Sequence, residues 1–146
     1  MYHYTESGLD NVWLVNGVKH HETPYGDGVA IKNVEGLHRT IGEWLVTLPK
    51  RWNGAELRFV RTEMDLSQKR MAALLGAEEQ ALRRWEKTRS KPIPGTPDRL
   101  VRGLYAEYLG SRCPVRDLVE RMAELDEIDA IDARLRVSKT GWKLAA

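Results

Sequence analysis

The stretch from Leu57 to Pro92, LRFVRTEMDLSQKRMAALLGAEEQALRRWEKTRSKP, constrains this chain most, because its apolar residues recur at helical spacing and a glycine interrupts them. Leu57, Val60 and Met64 predict a helix from Gly54 or Ala55 to Met64 with those side chains inward. Ser67 is placed to cap a second, short helix with its hydroxyl, and Leu66 and Met71 stand at the two positions of a hydrophobic staple. Arg70 occupies the place where a capping box would carry Glu or Gln. Gly76 ends the second helix, and a third follows over about Glu79 to Lys87, with Leu82 and Trp85 facing the core.

A helix-turn-helix needs a small residue where its helices press together, a residue tolerant of positive φ in the turn, and a long aliphatic anchor on the second helix. Ala72, Gly76 and Leu82 meet the three requirements in register. An αα-hairpin in a helical core is the competing reading. Charge bears on the choice: the net charge of +2 is strongly segregated. Residues 1–49 carry 3 basic and 6 acidic side chains, 50–102 carry 13 and 7, 103–133 carry 3 and 8, and the last 13 residues carry 4 basic ones and no acidic one. The positive charge lies on the helix-turn-helix, as a footprint for phosphate would.

Residues 2–31 read as short strands punctuated by turns, and predict a small antiparallel sheet of three or four strands. Asn16-Gly17 suits a type I′ hairpin, and Gly26-Asp27-Gly28 is a breaker before VAI. Leu37, Ile41, Trp44, Leu45 and Leu48 predict a helix over Val34 to Leu48, which Pro49 stops. Residues 50–53 then form a polar linker. Further on, Thr96-Pro97-Asp98 opens a helix, Leu100, Leu104 and Tyr108 form its inward stripe, and Gly110 stops it. Pro114 begins another, with Val115, Leu118, Met122, Leu125 and Ile128 on one face; it serves as a core cover or a dimer seam. The tail SKTGWKLAA forms a hairpin, docks Trp142, or stays mobile. The expected fold class is α+β: a small antiparallel β module ending in a helix (1–49), a linker (50–53), a helix-turn-helix domain (54–133) and a basic tail (134–146).

Several chemistries are disfavoured. Cys113 is the single cysteine, so there is no disulfide framework and no CxxC-type zinc or redox site. His20 and His21, adjacent on a strand, point to opposite faces, so no metal is expected. No cofactor loop, Ser-His-Asp set or carboxylate pair stands out, and the chain is expected not to be an enzyme. Without a basic-then-apolar leader or a long apolar run, a cytoplasmic protein with no membrane association is expected.

DLSQKRMAALLGAEEQALRRWEKTRSKP resembles the Cro/cI (XRE) type of helix-turn-helix, whose text runs LSQ, a Leu-Ala pair, a Gly turn, and Trp-Glu before a basic segment and proline. The resemblance covers roughly residues 55–125. It departs at Met71 for Leu, Glu78 for a capping Ser or Thr, and Thr88 for Gly. It implies a lambda-repressor-like five-helix domain that binds a palindromic operator in double-stranded DNA as a homodimer, through the third helix. Glu79, Gln80, Arg83 and Arg84 would face the major groove, where Gln pairs with adenine and Arg with guanine; Gln80 and Arg84 match the family's base-reading positions. Arg83 has a phosphate as its alternative. Gln68, Lys69, Arg89 and Lys91 would hold phosphates. The family pattern also pairs an Arg late in the first helix with the Glu of Trp-Glu, so Arg61 and Glu86 are expected to lock the domain. More loosely, a sheet-rich front before such a domain resembles the MqsA/YgiT type of antitoxin-regulator, which implies a cognate toxin as candidate partner. The zinc-finger cysteines of that type are missing here, so zinc does not carry over.

Overall fold

The computed structural model describes residues 1–110, 115–124 and 132–145, and the chain is α+β. Features expected at Cys113, Pro114, Leu125 and Ile128, and for the side chains of Val115 and Met122, lie outside the described residues. Two units divide the chain, Met1–Ile41 with Ala130–Ala146, and Gly42–Asp129.

The strands, all in the first unit, are β1 (Tyr2–His3), β2 (Val12–Leu14), β3 (Val18–Thr23), β4 (Gly26–Ile31), β5 (Ala133–Ser138) and β6 (Gly141–Leu144). They form one sheet of order β1-β2-β5-β6 and a separate β3-β4 ribbon. The expectation of a purely antiparallel front sheet is corrected here, because β2 pairs in parallel with β5. Residues 134–146 are likewise no separate tail. Ala133 and Leu135 are buried while Arg134 and Arg136 face solvent, the alternation of a half-covered strand. Trp142 is 9% exposed and donates from Nε1 to the carbonyls of Lys32 and Asn33 at 3.0 and 3.1 Å.

Asn16-Gly17 also behaves differently from the expected hairpin turn, since β2 and β3 do not pair. The Asn16 amide instead clamps β5, donating to the Val137 carbonyl at 3.1 Å and accepting from its N–H at 2.8 Å. Gly17 has φ of 81°, and a Cβ there would lie 2.7 Å from the Trp142 ring. The hairpin turn falls at Pro24-Tyr25, and Gly26 to Gly28, expected as a breaker, begin β4.

The helices are α1 (Val34–Thr47), α2 (Gly54–Glu63), α3 (Gln68–Leu75), α4 (Glu79–Lys87), α5 (Gly95–Tyr108) and α6 (Val115–Glu124). All five apolar residues expected on one face of α1 are buried. The division between units falls inside α1 rather than at residues 50–53, which are not a linker. Trp52 is fully buried, with its indole N–H on the Leu45 carbonyl at 2.8 Å. Asn53 and Glu56 form a reciprocal capping box at the start of α2. The Glu56 carboxylate also takes the ammonium of buried Lys50.

A buried arginine holds this region together. The Arg102 guanidinium donates to the carbonyls of Leu45, Val46, Leu48 and Lys50 at 3.0, 3.1, 3.0 and 2.6 Å, reaches the Asp98 carboxylate at 3.2 Å, and lies 4.7 Å from the Trp52 ring centre. Those carbonyls follow or end α1, where the helix has no partners of its own to offer. Asp98 also accepts the Trp52 backbone N–H at 2.8 Å. Burial pushes the Asp98 carboxyl above its ordinary value, against the pull of Arg102.

The expected stripe on α5 is corrected by the same residues. Leu100 and Tyr108 are exposed, while Asp98, Val101, Arg102, Tyr105 and Ala106 are buried. Nor does Thr96 cap the helix; Pro94 is its N-cap residue, without a side-chain bond. Gly110 adopts the positive φ expected of a helix stop.

Candidate functional site

The second unit positions the α3–turn–α4 pair through α2. Ser67 caps α3, its hydroxyl accepting the Arg70 N–H at 3.0 Å. Gly76 ends α3 with φ of 67°, in the left-handed region where a Cβ is penalised. Met71, Ala72 and Leu82 are buried between the helices. At the far end of α4, the amides of Gly54 and Ala55 at the start of α2 donate to the carbonyls of Lys91 and Arg89 at 3.3 and 3.1 Å. Gly54 packs so closely on the Trp85 carbonyl that no Cβ would fit there. The basic segment after α4 is thereby fastened to α2 by its backbone, and the side chains of Arg89 and Lys91 are exposed.

Arg61 and Glu86 meet as a two-pronged pair. Nε and Nη2 of Arg61 reach the two carboxylate oxygens at 2.7 and 3.0 Å, and Nη1 donates to the Leu66 carbonyl at 2.9 Å. One side chain thus ties α2 to α4 and to the loop before α3. Gln68 adds a bond from its amide nitrogen to Glu86 at 3.2 Å. This changes the role expected of Gln68, whose amide donor serves the lock. Trp85, expected inward beside Leu82, is only half-buried; Glu86 is the second buried residue of α4. Leu82 and Glu86 are four apart and share one face, which turns Trp85 toward its edge.

Glu86→Ala is expected to lower the unfolding free energy by about 2–4 kcal/mol, because Arg61 would keep its charge in a largely enclosed place without a counter-charge. Urea unfolding measures this, and a loss under about 0.5 kcal/mol would contradict the lock.

The opposite face of α4 is free. Gln80, Arg83, Arg84 and Lys87 are exposed, with Gln80 and Arg84 one turn apart, and Arg83 and Lys87 likewise. Glu79 is half-exposed and accepts from Arg83 at 2.7 Å; with the Arg83 side chain 58% exposed, this pair contributes little and opens readily. Lys69 at the start of α3 is exposed. Arg58 and Lys87, exposed beside these residues, are not among those expected at the site. Arg58 precedes Arg61 by three positions and Lys87 follows Arg83 by four, so helical spacing alone associates each with a residue already singled out.

No family model, curated protein or solved structure matches this chain. The chemistry of the site therefore rests on its own geometry. An amide and a guanidinium group one helical turn apart on the exposed face of a helix suit hydrogen-bonding to base edges. The surrounding cations suit phosphates. Among the described residues there is no group of three His, Cys, Asp or Glu that would hold a metal ion.

Proposed function

We propose that the chain is a sequence-specific DNA-binding transcriptional regulator of the XRE helix-turn-helix type, acting as a repressor on an inverted-repeat operator. It binds as a homodimer, with α4 of each protomer in the major groove. The observation carrying this reading is α4 itself: Leu82 and Glu86 fasten one face, and the other presents Gln80, Arg83, Arg84 and Lys87 to solvent. Within two turns that face gathers one amide and three cations, groups that suit base edges and phosphates. The role is binding, not catalysis, in the cytoplasm. Among the described residues no helix is long and apolar enough to cross a membrane.

Light scattering of the complex with an operator duplex is expected to give two protomers per duplex, and one protomer per duplex would contradict the dimer. Lys91→Ala should weaken operator and random DNA alike and make the dependence of log Kobs on log salt shallower by about one unit. An unchanged slope would remove Lys91 from the phosphate contacts.

A second reading assigns residues 1–49 to a protein partner, such as a toxin. The β3-β4 ribbon favours it: nearly all its side chains are solvent-exposed, and Tyr25 in its turn is fully so. Co-purification of a partner that is lost on deleting the ribbon would support this role, and the same yield without the ribbon would remove it.

A further inference from the structure

Beside the outer face of α4 lies an open polar cleft of about 490 Å³, lined by Arg58, Arg61, Gln68, Arg83, Glu86 and Lys87. Four cations stand there against one carboxylate. Arg61 and Glu86 neutralise each other, and Gln68 is fastened to the same carboxylate. Among the described residues Arg83 is held only by half-exposed Glu79. Arg58 and Lys87 are exposed and make no side-chain hydrogen bond or ion pair among the described residues.

Cations that outnumber the carboxylates around one cleft repel one another, and an anion relieves that repulsion. The lining indicates which anion. It holds no aromatic or aliphatic side chain on which a base or an acyl chain could rest, only guanidinium, ammonium, amide and carboxylate groups. Guanidinium groups match the oxygens of a phosphate with paired donors, and the ammonium adds a flexible point charge. The floor is also fixed in advance, since Arg61 is pinned by the Glu86 carboxylate and the Leu66 carbonyl.

We propose that this cleft is a phosphate-group site. Arg58 and Lys87 are its ligands, Arg83 joins them by leaving Glu79, and the Arg61–Glu86 pair forms its floor. The phosphate comes from the backbone of bound DNA or from a free polyphosphate. Only the first source rests on the DNA-binding reading.

The test uses the full chain and the double variant Arg58→Gln with Lys87→Gln, which should unfold at the wild-type temperature because neither side chain has a partner. On a short random-sequence duplex, the variant's log Kobs against log salt is expected to be shallower by about two units. Should the double variant fail to fold, each single variant is expected to lose about one unit. The control pair Lys19→Gln with Lys139→Gln, both exposed, should keep the wild-type slope. In a second arm, inorganic tripolyphosphate is titrated calorimetrically into the chain without DNA.

A shallower slope supports the site with DNA as its source. An unchanged slope, with tripolyphosphate affinity at least about tenfold lower in the variant, supports it with a free polyphosphate as source. Responses equal to wild type in both arms, or a control pair that flattens the slope as much, overturn the proposal. A wild-type chain that binds no duplex but binds tripolyphosphate more tightly than the variant refutes the DNA-binding reading and leaves the site standing. Binding of neither refutes both.

Discussion

Arg102→Met is expected to destabilise the helical unit by about 3–5 kcal/mol, a large part of what holds a domain of this size folded. The guanidinium is fully buried and serves four main-chain carbonyls, the Asp98 carboxylate and the Trp52 ring. Methionine fills most of the volume but donates nothing, so the carbonyls of Val46, Leu48 and Lys50 lose this donor, Leu45 keeps the Trp52 indole, and Asp98 keeps an uncompensated charge. Adding Asp98→Asn should recover about 1–2 kcal/mol, since it removes that charge and leaves only the carbonyls unserved. The deficit also depends on pH. A carboxyl whose folded value lies above its unfolded one contributes stability that is complete below the unfolded value and lost as pH rises through the folded value. Asp98 is already raised by burial, and losing Arg102 raises it further. The variant should therefore approach wild type on acidification below the raised value, and depart from it most at neutral pH. Thermal or urea unfolding across that range reads both effects; a neutral-pH loss under about 1 kcal/mol would contradict the role given to Arg102.

That arginine also explains why α5 was misread from the sequence. Periodicity arguments admit apolar residues to the core and leave charged ones outside, so Leu100, Leu104 and Tyr108 look like the buried stripe. The real one runs through Val101 and Tyr105 and includes Asp98 and Arg102, a charged pair one turn apart whose burial depends on carbonyls far away in sequence. The same bias hid Lys50, Glu56 and the capping box, and made KRWN look like a polar joint. Only Asn53 with Glu56 three residues later left a local signature. The parallel pairing of β2 with β5 left none, because no turn joins strands so distant. By contrast, α1 through α4 were legible: their apolar spacing, Ser67 and Gly76 act within one or two turns.

The second large effect is on recognition. Gln80→Ala with Arg84→Ala is expected to remove about 2–6 kcal/mol of operator discrimination, taking ~1–3 kcal/mol for each bidentate base contact. Affinity for random duplex should change less, since Lys69, Lys91 and the cations beside α4 remain. Both side chains are exposed, so the variant should unfold as wild type does. Competition of labelled operator against random DNA separates the two affinities, and equal discrimination in variant and wild type would remove these residues from base reading. The site itself was legible in part. Gln80, Arg83 and Arg84 stand on the outer face of α4 as their spacing predicts. The donation from Gln68 to Glu86, and the place of Arg58 beside Lys87, depend on how α2 crosses α4, which spacing within one helix does not fix.

Selection of bound sequences from a pool of random duplexes is the most direct measurement of the central claim. The proposed regulator predicts enrichment of an inverted repeat whose half-sites lie about one helical turn apart, with adenine and guanine at the positions that lose preference in the Gln80→Ala and Arg84→Ala chains. A pool that emerges without any enriched motif would contradict it.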